Sequence, residues 1–273
     1  MPPGWTLSAG PVASWLLAPS SWVIHYPESP VLERRDLGVT AGGRLLAAGQ
    51  YAIEGPTCLL SWLAADPGEP GALAEWIDAL EDLARDRGCT AVVQTRNELG
   101  IGWFGTPLRW DHVIRGLREA GHEPGERWLI MTADAGAAPP PAAPPYRTLR
   151  VEREARPDAL EWSTHAWVGD VPAADVTVWG PPVAFRDCPG YASWTTLEAV
   201  DVEEPFQRQG LARYLLTSEM ARLADRGAGH VLLFTETGNL PARRLFESLG
   251  FTPGPECWCL GRSLDNPATG AGL

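Results

Sequence analysis

The stretch TTLEAVDVEEPFQRQGLARYLL, Thr195 to Leu216, decides the reading of this chain. It predicts a strand over Trp194 to Val202, then a short loop carrying Gln207-Arg208-Gln209-Gly210-Leu211-Ala212, and a long helix that starts inside that loop. Such a loop aims several backbone N–H groups and the positive end of a helix dipole at one point, which makes an anion site. Small residues at Gly210 and Ala212 let the backbone approach a bulky phosphate, and Arg208 and Arg213 add charge beside it. On these residues alone the ligand is a phosphate or a diphosphate.

Outward from that stretch, the helix of Gly210 to Arg226 has a counterpart at Gly71 to Arg87, where Leu73, Trp76, Ile77, Leu80 and Leu83 recur at helical spacing. Each pattern ends in Asp-Arg-Gly, and four residues beyond that glycine a valine opens an apolar strand, Val92 in one half and Val231 in the other. Farther on, Gly121, Pro124, Gly125 and Trp128 match Gly250, Pro253, Gly254 and Trp258 with one inserted residue, so the chain is read as an internal duplication. Leu37 to Ile53 alternates around Gly42-Gly43, a hairpin signal, and Thr57 to Leu63 is a further strand. In the second half His230 to Thr235 is a strand and Pro241 to Leu249 a helix, whereas Trp162, Trp167 and Trp179 settle into neither period. The expected architecture is α+β (α/β): two tandem domains, each a mixed twisted sheet flanked by helices. Ala133 to Pro145, ADAGAAPPPAAPP, reads as a Pro/Ala-rich linker that buries almost nothing. It separates expected domains over 1–132 and 146–264.

The chain has 273 residues, is 45% hydrophobic and carries a net charge of −12, with arginine supplying every basic side chain. A surplus of acid argues against nucleic acid or an anionic membrane as partner and suits a cationic guest. Five cysteines without C-x-x-C spacing give no disulfide framework and no zinc site, and no apolar run is long enough to span a membrane. These features read as a cytoplasmic protein without a metal.

Gln207-x-x-Gly210-x-Ala212, five positions after Val202, followed by Asn239-x-x-Ala242-x-x-x-Phe246-x-x-x-Gly250-Phe251, resembles the GCN5-related N-acetyltransferase (GNAT) superfamily, specifically over about residues 194 to 260. The resemblance implies acetyl-CoA or another acyl-CoA as co-substrate. Its pyrophosphate would lie on the amides of Gln207, Arg208, Gln209, Gly210, Leu211 and Ala212, with Arg213 beside them. The pantetheine arm would pair like an extra strand along Val200 and Val202, flanked by Asn239 and Ala242. The reaction implied is direct attack of a neutral amine on the thioester. Glu198 is the candidate base or amine anchor, and Asp201 a weaker one, because alternation separates it from Glu198 unless a bulge shifts the phase. His165 and Glu236 are further candidates for contact with the acceptor. Phe246 falls where the superfamily's general-acid tyrosine is expected and has no proton to give; Tyr214, Ser248 and Cys257 are the alternatives.

In the first half Gly68-Glu69-Pro70-Gly71-Ala72-Leu73, preceded by Asp66-Pro67, stands at the loop position. Pro70 has no N–H, and Asp66 and Glu69 repel a diphosphate, so this lobe is expected to be degenerate. Gly71 and Asn97 read as relics of the duplication, and the aromatics Trp103, Phe104 and Trp110 as core or as support for the second lobe. The acceptor expected is an amine-bearing small molecule. A non-catalytic acyl-CoA-binding or regulatory module is the alternative, and an aminoacyl-tRNA-dependent transferase, which needs a basic RNA surface, fits the net charge poorly.

Overall fold

The computed structural model describes residues 5–9, 34–94, 105–141, 143–156, 161–179 and 193–264. They form two compact units, one of Met1–Trp128 with Glu256–Leu273 and one of Leu129–Pro255.

In the first unit, β1 (Trp5–Ala9), β2 (Arg34–Ala41), β3 (Arg44–Glu54) and β4 (Thr57–Ala65) form an antiparallel run. The β2–β3 turn works because Gly42 and Gly43 both take positive φ, 56° and 77°, which matches the twist of the flanking strands. Helix α1 (Pro70–Asp86) then returns the chain to β5 (Ala91–Gln94), parallel to β4. Short β6 (Thr106–Pro107), α2 (Asp111–Glu119) and residues Glu123–Trp128 of β7 (Glu123–Asp134) follow. The sheet is completed by residues Glu256–Ser263 of β13 (Thr252–Ser263), whose Arg262 sits opposite Val92. Trp76 fills the core with Leu60, Ile77, Leu80, Leu117 and Leu260, and its indole N–H donates to the Leu37 carbonyl at 2.7 Å.

Within this unit Glu81 is buried, accepting from Arg262 Nη1 at 2.8 Å and from Arg85 at 2.8 Å, with His122 Nε2 3.3 Å away. Burial pushes its carboxyl up, but the His122 hydrogen bond and the Arg262 charge outweigh it and hold the group below the usual carboxylate range.

The second unit contains Leu129–Asp134 of β7, then β8 (Leu149–Arg156), β9 (Glu161–Val168) and β10 (Val171–Trp179), three antiparallel strands. This segment was illegible by period because its tryptophans serve both faces. The Arg222 and Arg226 guanidiniums stand 5.1 and 5.5 Å over Trp162, whereas Trp167 is on the opposite face beneath Arg150 at 4.2 Å. Next come β11 (Trp194–Val202), α3 (Leu211–Asp225), β12 (His230–Glu236) and α4 (Leu240–Glu247). Strand order in this unit is β13-β7-β12-β11-β10-β9-β8. Buried Glu219 of α3 accepts from Thr164 Oγ1 and Arg153 Nε, both at 2.9 Å, and from Arg222 at 2.6 Å, tying the helix to β8 and β9.

The four described helices end alike. A glycine with positive φ follows each (Gly88, Gly121, Gly227, Gly250), and the next N–H reaches back to the last turn: Cys89 to Ala84 and Ala228 to Leu223, both at 2.9 Å. The Asp-Arg-Gly repeat is this stop signal, written twice.

The division between the units falls at Trp128/Leu129, ahead of the Pro/Ala-rich stretch. Ala133 and Ala135 are buried in the second unit's core, and the Ala135 N–H donates to the Gly229 carbonyl at 3.0 Å, correcting the expectation that this stretch buries almost nothing at its start.

Candidate functional site

β11 pairs in parallel with β12 from Trp194↔His230 only as far as Leu197↔Leu233, although β12 runs on to Glu236. Past Leu197 the two strands have parted, and the edge of β11 that carries Val200 and Val202 has no described strand on that side. On its other side β11 pairs with β10, and the register jumps from Thr177↔Ala199 to Val178↔Leu197, so Glu198 is the extra residue of a β-bulge. The bulge cancels the alternation that would set Asp201 apart. Ala199 and Asp201 share the face of Thr177 and Asp175, Leu197 lies in the core with Val178, and half-buried Glu198 sits at the change of phase with its Oε2 enclosed.

The loop after β11 is built for its backbone. A 3₁₀ turn over Glu204–Phe206 leads to Gln207, whose Nε2 donates back to the Val202 carbonyl at 2.9 Å, and Gln209 Nε2 donates to the Pro205 carbonyl at 2.8 Å. Both glutamines therefore spend their side chains on loop shape. Arg208 takes φ +60°, the one described non-glycine residue in the left-handed region, and Gly210 takes φ +85° as the cap of α3. Among the described residues the N–H groups from Arg208 to Arg213 donate to nothing, and the first closing bond of the helix is Tyr214 N–H to Gly210 carbonyl at 3.0 Å. A run of unsatisfied amides on a backbone that is left-handed at Arg208 and Gly210 is an arrangement suited to an anion. Leu211, 1% exposed, anchors it to the core.

The first unit shows the opposite arrangement at the equivalent place. Gly68 N–H already donates to Asp66 Oδ1 at 2.8 Å, and Arg44 pairs with Glu69 at 3.1 Å and Asp66 at 3.5 Å. The chain supplies both charges itself.

Several expected residues have other duties. Asn239 Oδ1 caps α4 by accepting from the Ala242 N–H at 3.2 Å. Phe246 is a core residue, 7% exposed, meeting Phe251 edge-on at 5.8 Å. Ser248 takes a hydrogen bond from Arg213 at 2.5 Å and gives one to the Leu245 carbonyl at 2.6 Å. Cys257 is no substitute acid: it belongs to the first unit and is wholly buried, which pushes its thiol up to about 12. Tyr214 is half-buried and Glu236 exposed at the end of β12. His165 lies against Trp167, ring centroids 5.9 Å apart, and its Nδ1 bonds Asp175 Oδ1, a partner that only the strand register places opposite it. Asn97, Trp103 and Phe104 lie outside the described residues. Trp110 packs against the first unit's core. Among the described residues no cluster of His, Cys, Asp or Glu is arranged to hold a metal ion, and no helix is long and apolar enough to cross a membrane.

Residues 191–259 match the family described as FR47-like protein. The chain is 23% identical over 179 residues to a mycothiol acetyltransferase of Corynebacterium aurimucosum, covering 65% of this chain and 47% of that one. To the mycothiol acetyltransferase of Thermobispora bispora it is 30% identical over 169 residues, 54% of this chain and 50% of that one. It thus spans about half the length of these relatives. Among solved structures, a tandem GNAT protein from the clavulanic acid biosynthesis pathway superposes with a TM-score of 0.68 at 15% identity, covering 96% of this chain and 100% of that one. The fold is therefore that of a tandem GNAT protein, as the duplicated sequence pattern implies.

Proposed function

We propose that this tandem GNAT-fold chain is an N-acyltransferase, which uses its second unit to bind acetyl-CoA or another short acyl-CoA and transfers the acyl group to an amine of a small molecule. The observation that carries this reading is the unsatisfied amide run from Arg208 to Arg213, placed where β11 has parted from β12. The FR47-like match over the same residues and the acetyltransferase names of the relatives support it.

The bound thioester supplies an activated acyl group. The chain's own residues do the rest. The Arg208 to Arg213 amides hold the diphosphate, and the open edge of β11 at Val200 and Val202 takes the arm as an added strand. Glu198 accepts the ammonium proton or fixes the amine. A coenzyme A thiolate leaves tolerably unaided because an ordinary thiol pKa is about 8.5, so a phenylalanine at 246 weakens but does not abolish transfer. The buried, hydroxyl-free Phe246 also favours a second reading, a binder that does not turn over. Calorimetry with acetyl-CoA is expected to find one site per chain, with amine-dependent thiol release. Two sites would overturn the degenerate first lobe, and binding without thiol release across an amine panel would select the second reading.

A further inference from the structure

The face of the second unit's sheet that α3 leaves uncovered carries an ordered row of side chains. Register sets Glu152 of β8 opposite His165 of β9, His165 opposite Asp175 of β10, and Asp175 opposite Asp201 of β11. Residues on the other face of β9, Thr164 and Ala166, are buried toward α3. β8 and β9 are separated by only residues 157–160. The side chains of His165 and Asp175 are 35% and 53% exposed. Asp175 holds Nδ1, so Nε2 is the end of the ring that can exchange a proton. Of the other charges facing this imidazole, Glu152 is ion-paired with Arg150, whose guanidinium lies over Trp167; Glu154 stands one row away on β8; and Asp201 stands beyond Asp175.

The adjacent row links this pair to the bulge. Ser163 Oγ and Thr177 Oγ1 are 3.5 Å apart, Thr177 is opposite Ala199, and Glu198 is the extra residue beside it. Neighbouring strands are about 4.8 Å apart and alternate residues about 6.8 Å, gaps that single waters bridge. Hydroxyls thus stand between the enclosed carboxylate and the exposed imidazole.

We propose that His165, oriented by Asp175, is a positioning and proton-exit residue that passes the acceptor's proton from Glu198 to solvent. The inference rests on the acyltransferase reading above. An amine arrives as ammonium; its N–H bond breaks, the proton moves to the Glu198 carboxylate, then through Thr177, Ser163 and water to His165 Nε2 and out. Glu198 returns to the carboxylate, and no electrons are exchanged.

The test measures thiol release from acetyl-CoA with butylamine, putrescine and glucosamine as probes, for wild type, His165→Gln, His165→Ala, Asp175→Asn and Glu198→Gln. For the probe turned over fastest, His165→Gln is expected to lower kcat about 10- to 100-fold, at or below the low end of acid–base effects, with KM for both substrates within twofold. Added imidazole is expected to restore most of the His165→Ala rate and none of the Glu198→Gln rate, and Asp175→Asn to fall between. A wild-type kcat in His165→Gln, a loss confined to the amine KM, or a loss that imidazole does not rescue would each overturn the inference while leaving the acyltransferase reading intact. No release by wild type with any probe removes both, and is seen before any variant is compared.

Discussion

Replacing Gly210 by Asp separates what the loop costs the folded protein from what it does for a ligand. A Cβ built at Gly210 meets nothing within 4 Å, so the substitution causes no clash. Its cost to stability is the left-handed backbone, φ +85°, about 1 kcal/mol for a residue with a side chain. That strain is present with and without ligand and cancels from the dissociation constant. The new carboxylate does not cancel. At about 5 Å from a diphosphate, each unit of phosphate charge repels it by about 0.8 kcal/mol at the dielectric of water and about 3.3 kcal/mol at an effective value of 20. Two charges give about 1.6 to 6.6 kcal/mol, a loss of at least about 15-fold in affinity. Calorimetry with acetyl-CoA on Gly210→Asp, Gly210→Ala and Gly71→Asp, with melting curves for each, reads both quantities. Gly210→Ala is expected to lose stability like the Asp variant but far less affinity, and Gly71→Asp to bind like wild type. Affinity within threefold of wild type in Gly210→Asp would refute the assignment of this loop to a diphosphate.

Arg208→Gly relieves the described non-glycine residue of positive φ while removing a charge, so its melting temperature is expected to stay level or rise while acetyl-CoA affinity falls about fivefold, the worth of one surface charge; equal affinity would leave Arg208 a purely conformational role. Glu198→Gln is expected to lower kcat by about 100-fold or more with acetyl-CoA affinity unchanged; unchanged turnover across pH would remove Glu198 from the base role. In the first unit the Glu81 carboxyl is held below its ordinary value, so its stabilisation is fully present above about pH 4.3 and is lost as pH falls through the lower folded value. Urea midpoints of wild type and Glu81→Gln between pH 7 and 3 check this: the two are expected to converge on acidification, and parallel profiles would contradict it.

The duplication and its punctuation were legible because they rest on local chemistry. Gly42-Gly43 makes a hairpin wherever it falls, and Asp-Arg-Gly closes a helix in the same way at residue 88 and residue 227. The loop at Gln207 to Ala212 was legible for the same reason. What could not be read depends on partners distant in sequence. A bulge at Glu198 exists only relative to β10, the His165–Asp175 pair only through the register of β9 on β10, and the enclosure of Cys257 only because its strand joins residues of the first half. Trp162 and Trp167 defeated any single period because one serves the core and the other the opposite face.

The placement of Glu256–Ser263 in the first unit bears on how that unit comes to be folded. Leu260 N–H donates to Gln94 Oε1 across 166 residues of sequence, and Arg262 reaches Glu81 across 181. At about 5–20 residues per second, a ribosome that has finished α1 needs on the order of 10–35 seconds before the strand that satisfies Gln94 and Glu81 exists. Throughout that interval the carboxylate of Glu81 has Arg85 but lacks Arg262, and the edge of β5 lacks β13, so the part of the chain made first is among the last to close.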